Sequence, residues 1–156
     1  MTPDDFVELE AIKRLKYRYV RLIDLKEWDE LETLFVPDAT ATYSDGKYAF
    51  DGRDAIMAFL RESMASTNML TSHKVHQPEI ELVGPDRASA TWALEDVVLH
   101  LDYNLRISGA AFYRDEYVKR DGEWRIKHTG YERVYEEMQP RADDIKLTAR
   151  KWKPSS

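Results

Sequence analysis

Apolar positions recur at spacings of three and four near the start of the chain, at Ile12, Leu15, Tyr19, Leu22 and Ile23. That period predicts an amphipathic helix with one stripe turned to a core. Thr2-Pro3-Asp4-Asp5 suits its start, a polar cap followed by proline and acids, and the helix is expected to run to about Leu25. A short second helix is predicted over 28–35, ending ahead of Pro37. Ala39-Thr40-Ala41-Thr42-Tyr43 alternates and is rich in β-formers, which predicts a strand, a turn over 44–47 and a short returning strand over 47–50. Asp51-Gly52-Arg53-Asp54 leads into a third helix with Ile56, Phe59 and Leu60 on its apolar face. After Asn68 the period becomes two, predicting strands over 72–83, 88–101, 105–119 and 123–135 joined by short turns. Helices first, then an antiparallel meander, with no β-α-β alternation, indicate an α+β fold.

Strand parity then assigns faces. Ala90, Trp92, Leu94 and Asp96 share one face, which is mostly apolar and should look inward. Asp96 is either a useful buried carboxylate or a strand-end group that is solvated or paired with an arginine. His73 and His76 have opposite parity. Val75 sides with His73, whereas Ile80 and Leu82 side with His76, so parity alone leans to His76 unless a bulge near Pro78 changes the phase. Tyr113, Asp115 and Tyr117 share a face, as do Trp124, Ile126 and His128. Arg125, Lys127 and Arg133 are expected outward, in cross-strand pairs with Glu116 or Asp115. On the first helix Tyr19 lies on the apolar stripe and Asp24 closes the segment. A hydroxyl and a carboxylate aimed inward are costly unless satisfied or useful.

Composition narrows the classes. A chain of 156 residues makes one domain with room for a substantial core. A net charge of −6 argues against general nucleic-acid binding. The absence of cysteine excludes disulfides and thiolate metal sites and is compatible with a cytoplasmic setting. The acidic start lacks the apolar core of a signal peptide, and no run approaches the roughly 20 apolar residues of a membrane span. Twelve per cent aromatic residues suit a pocket for a flat apolar ligand, and a core equally well. There is no phosphate-cradling glycine loop and no nucleophile elbow. His73 with Asp24 and Asp96 would be a two-carboxylate, one-histidine ligand set, but no tight ligand spacing supports it, so no metal and no other cofactor is expected. Residues 138–156, mildly basic with Pro140 and Pro154, read as a C-terminal arm on a domain of residues 1–137, either disordered or covering a neighbouring subunit.

Residues 8–137 resemble the SnoaL-like branch of the nuclear-transport-factor-two-like superfamily. The resemblance rests on Arg18-Tyr19-Val20 with Asp24, the run from Trp28 to Ala39, and Gly52-Arg53-Asp54-Ala55-Ile56. It rests also on His73, on Trp92-Ala93-Leu94-Glu95-Asp96 and on Asp121-Gly122-Glu123-Trp124-Arg125-Ile126. Within that branch the chain is most similar to the scytalone dehydratase and bile acid dehydratase group. The resemblance implies a cone: a curved mixed sheet wrapped around the N-terminal helices, an α+β barrel of cystatin-like shape. It implies catalysis by Tyr19, Asp24, His73 and Asp96, with His73 as base or acid, Asp24 orienting it and Tyr19 donating to a substrate oxygen. Tyr43, Trp92, Leu94 and Tyr113 would contact the substrate. The implied reaction is cofactor-independent loss of water from a hydroxylated cyclic ketone or enone of steroid or polyketide type. Isomerisation or ring closure on a similar substrate, or a non-catalytic binding or assembly role, stands beside it. A homodimer or homotrimer is implied as well.

Overall fold

The computed structural model describes residues 1–154. Its elements follow the order α1 (Pro3–Asp24), α2 (Trp28–Glu32), β1 (Phe35–Tyr43), β2 (Tyr48–Asp51), α3 (Arg53–Met64), β3 (Met69–Leu82), β4 (Arg87–His100), a 3-10 turn (Leu101–Tyr103), β5 (Leu105–Arg120) and β6 (Glu123–Pro140). The six strands form one curved, unclosed sheet in the order β2-β1-β6-β5-β4-β3. β3 to β6 are the expected antiparallel meander, and β1 joins β6 in parallel, so the sheet is mixed.

α1 begins as its sequence demands. Thr2 Oγ1 accepts from the Asp5 amide at 3.3 Å, and the Thr2 amide donates to Asp5 Oδ2 at 2.7 Å. This reciprocal pair satisfies two donors that the first turn leaves free. Ile12, Leu15, Tyr19, Leu22 and Ile23 are all buried, packed with Trp92, Leu94, Tyr113 and Ile126 of the sheet's inner face. Lys16 and Val20 are buried on the same side.

The structure departs from the expected elements where the sheet imposes its own pairing. α2 stops at Glu32, because Phe35 already pairs with Ile126 of β6. Pro37 lies within β1, where the β1–β6 register breaks between Phe35 and Thr40 and no ladder donor is needed. β6 continues to Pro140, since Arg106 and Leu105 of β5 take Gln139 and Pro140 as partners. The expected boundary at 137 therefore falls inside a strand. Residues 141–154 form no helix or strand and fold back on their own chain. Arg150 donates to Asn68 Oδ1 at 3.1 Å, and Lys26 Nζ lies 5.1 Å from the Trp152 ring centroid.

Gly130 shows how tightly β1 and β6 approach. A Cβ at this position would press on the Thr42 hydroxyl and carbonyl. Overpacking usually costs about 1–3 kcal/mol, and Gly130→Ala should lie at the upper end because half of the obstruction is backbone. A urea midpoint unchanged from wild type would contradict this close fit.

Candidate active site

Three bulges decide which polar side chains face inward. In β3 one extra residue lies between the His76–Ala93 and Glu79–Thr91 pairs, with Gln77 at φ 29°. The phase changes there, so His73 and Val75 share the inner face with Ile80 and Leu82. β6 carries an extra residue at Lys127 and another at Val134. Thr129, Tyr131 and Arg133 consequently face inward, while His128 turns outward.

The inner face encloses a cavity of about 210 Å³ bounded by α1, α3 and the sheet. His73 lines it. Its Nδ1 lies 2.7 Å from Asp24 Oδ1, and its backbone amide donates to Asp24 Oδ2 at 2.8 Å. Thr71 Oγ1 adds a third bond to Asp24 Oδ1 at 2.9 Å. Asp24 is the last residue of α1, where the carbonyl end of the helix dipole opposes a carboxylate. The three donors from β3 offset that opposition. A carboxylate only accepts, so the network assigns a proton to Nδ1, and in the neutral imidazole the lone pair is then on Nε2.

Tyr19 and Tyr43 meet in the same space, with hydroxyl oxygens 3.3 Å apart. Burial, chiefly, holds both phenols well above their usual pKa, so both are protonated donors. Tyr113 lines the wall beside Tyr19, its ring edge-on to Tyr19 at 6.2 Å. At another side Asp96, directly opposite His73 in the β3–β4 register, takes both oxygens to Arg133, at 2.6 and 2.9 Å. The hydrogen bonds that Arg133 donates to Asp96 raise the guanidinium pKa above its usual value despite partial burial. Arg133 also reaches Glu136 at 3.2 Å.

Of the eight site residues expected from sequence, His73, Asp96, Tyr19, Tyr43 and Tyr113 line this cavity, and Asp24 stands directly behind His73. Trp92 and Leu94 do not. Both are buried in the core, and Trp92 Nε1 donates to the Tyr117 hydroxyl at 3.1 Å. His76 points outward to Glu95 at 2.8 Å. Two expectations fail with the β6 bulge at Lys127. Arg133 is inward on Asp96, and His128 is on the outer side with Thr40 Oγ1 2.7 Å from its Nδ1. Asp115 likewise makes no surface pair with Arg125 or Lys127, because it is buried against Lys16 at 2.7 Å.

Among the described residues no three His, Asp or Glu side chains converge as a metal site, and no helix is long and apolar enough to cross a membrane.

This arrangement sits in a recognised sequence pattern: a SnoaL-like domain matches residues 7–130. The chain belongs to the SnoaL-like family. Its SnoaL-like fold is shared with solved relatives. A provisionally assigned scytalone dehydratase from Novosphingobium aromaticivorans superposes with a TM-score of 0.82 at 25% identity, over 96% of this chain and 95% of that one. A hexachlorocyclohexane dehydrochlorinase from Novosphingobium barchaimii has the same fold, with a TM-score of 0.79 at 19% identity, covering 94% and 97% of the two chains. A provisionally assigned cyclase from Gibberella zeae is 24% identical over 136 residues, 80% of this chain and 89% of that protein. The SnoaL-like chain thus stands among dehydratase- and cyclase-type relatives.

Arg133 and Lys16 were not expected on its inner face from the sequence. Arg133 could be placed only by locating the β6 bulge at Lys127, where the local sequence offers no turn residue. Lys16 did carry a signal, since it falls four residues after Ile12 and three before Tyr19, on the stripe itself.

Proposed function

We propose that this SnoaL-like protein is a cofactor-independent lyase that removes water from a compact β-hydroxylated cyclic ketone or enone. The observation that carries the reading is the Asp24–His73 pair. A carboxylate occupied by three donors holds the imidazole at the cavity wall, with the neutral ring's lone pair on Nε2. His73 Nε2 takes the proton next to the substrate carbonyl. The electron pair of that C–H bond forms the enolate, whose oxygen accepts a hydrogen bond from Tyr19 within the Tyr19–Tyr43 pair. The enolate then expels the β-hydroxyl, which leaves as water with the proton carried by His73. Asp96 does not serve as the acid in this scheme, because both of its oxygens already accept from Arg133. That ion pair supplies a fixed polar wall, against which a further substrate oxygen can be oriented.

The cavity also bears on the substrate. At about 210 Å³ it is smaller than the roughly 300–1,000 Å³ typical of drug-sized ligands, which favours one or two rings over a four-ring steroid. Isomerisation or ring closure would use the same base, and the cyclase-type relative keeps that reading in view. Analysis of the product distinguishes them, since the lyase removes one water without forming a new ring, and isomerisation leaves the mass unchanged. The proposal includes assembly into a homodimer or homotrimer, supported by the exposed Phe112 and Met138. Sedimentation as a monomer at micromolar concentration would remove that part.

The direct test is a thermal-shift screen of one- and two-ring hydroxy-ketones beside hydroxy-steroids, followed by product analysis. A ligand at 100 times its Kd adds about 2.7 kcal/mol of stability. Two-ring ligands should stabilise the wild type and lose water in its presence. Ligands that bind without turning over would move the assignment to a binding domain.

A further inference from the structure

Lys16 is a charged group that the proposed reaction does not touch. It is fully buried on α1, one turn before Tyr19. Its Nζ lies 2.7 Å from Asp115 Oδ2, 3.3 Å from the centroid of the Tyr113 ring and 4.5 Å from that of Tyr19. Asp115 is held within the sheet too, from its own strand β5 and from β6. The Tyr117 hydroxyl donates to Oδ2 at 2.6 Å, and Thr129 Oγ1 donates to Oδ1 at 2.8 Å. An anchored carboxylate therefore presses an ammonium onto the faces of two tyrosines that line the cavity.

Stability does not account for this group. Taking both charges out of water is expensive, and apolar residues of similar volume often replace a buried ion pair without loss. Burial pulls the lysine pKa down, while Asp115 opposes that pull. The geometry does have a chemical consequence. A phenol that donates to an oxyanion takes on part of the negative charge, and its ring face becomes more electron-rich. A cation already seated on that face gains attraction as this happens, and it gains more in a water-poor interior. The charge of Asp115 is shared among Lys16, Tyr117 and Thr129, which weakens its opposing effect.

We infer that Lys16 is a positioning residue of the cavity: held by Asp115, it fixes the Tyr113 and Tyr19 rings and strengthens their hydroxyls as donors to a bound oxyanion. The inference rests on the reading of the cavity as a place where a carbonyl oxygen gains negative charge. It adds that the stabilising cation lies behind the ring wall, out of reach of the ligand.

The test compares two small probes of nearly equal shape, 4-nitrophenolate and the uncharged 4-nitroanisole, by equilibrium binding. The variants are Lys16→Met/Asp115→Asn, which leaves no unpaired charge, Asp115→Asn alone, and Tyr19→Phe. The double variant should bind 4-nitrophenolate about 10-fold more weakly, with 4-nitroanisole binding within about twofold of wild type. Asp115→Asn alone frees the cation of its counter-charge and should shift the preference toward the anion. Equal losses for both probes would mean that Lys16 only packs the wall, and would overturn the inference. So would unchanged binding of both probes in the double variant together with an unshifted preference in Asp115→Asn. If wild type binds neither probe, or if Tyr19→Phe leaves the affinity for the anion intact, the oxyanion reading of the cavity fails and the inference falls with it.

Discussion

Replacing His73 by glutamine is expected to lower kcat by about 10²–10⁴-fold on whichever hydroxy-ketone the screen identifies, the range that a positioned acid–base group contributes. Among the described residues the imidazole is the one ring at the cavity wall held by a carboxylate behind it. Glutamine keeps a donor within reach of Asp24 and fills similar space, so the folded state should survive and the loss should fall on the chemical step. Asp24→Asn makes the sharper companion. It retains the imidazole but replaces an acceptor-only partner with one that can also donate, which removes the reason for the proton to sit on Nδ1. A fall of about 10²-fold or more in kcat, with KM little changed, is expected from the wrong tautomer. Turnover within threefold of wild type in both variants, with melting temperatures showing both folded, would remove His73 from the mechanism.

The largest effect on stability is expected at Arg133. Arg133→Met leaves the Asp96 carboxylate, only 6% exposed, without its two guanidinium donors. Removing one partner of a buried pair typically costs about 3–5 kcal/mol, because the other charge remains desolvated and uncompensated. The lower end is expected, since the Arg133 side chain keeps 14% of its surface in solvent. In a chain of this size each kcal/mol moves Tm by about 2–4 °C, so the melting point should fall by roughly 6–12 °C. Asp96→Leu combined with Arg133→Met should recover most of that loss while leaving a cavity without its polar wall. A single Arg133→Met variant that melts with wild type would show that Asp96 has found water or another donor, and that the pair is weaker than its geometry suggests.

Much of this was legible in the chain itself. The stripe of α1, the capping box at Thr2 and the four-strand meander follow from local periodicity and turn chemistry, which neighbouring residues determine. The parallel seating of β1 on β6 was not legible as a register, because it joins segments nearly 90 residues apart with no local signature. Within the site, Tyr19, Asp24, Asp96 and Tyr113 lie where a regular helix and unbroken strand parity put them. Parity alone leaned to His76 where the resemblance implied His73, and the strand follows the latter through the bulge after His76, whose residue Gln77 is not one that usually marks positive φ. Arg133 and His128 went astray for the same reason on β6: one inserted residue inverts every assignment that follows. Trp92 and Leu94 show the opposite limit. Parity put them correctly on the inner face, yet an inward residue can be sealed in the core, and only the packing of α1 over the sheet decides which part of that face stays open.

The strand order also has a consequence for how the molecule is made. β6, the last of the strands among the described residues, is not at an edge; it lies between β1 and β5 and there links the early hairpin to the meander. Until it emerges from the ribosome, the strand at 35–43 has only the short β2 to pair with, and the apolar side of α1 has no completed sheet to rest on. Contacts of such long sequence separation form slowly, and waiting intermediates expose surface that attracts other chains. A product that terminates before residue 140 would lose part or all of the joining strand, according to where it stops, and one that lacks the whole strand would divide the sheet in two. The complete sheet in this family member is thus expected only once residues 123–140 have been made, which gives β6 the role of a keystone placed last among the six strands.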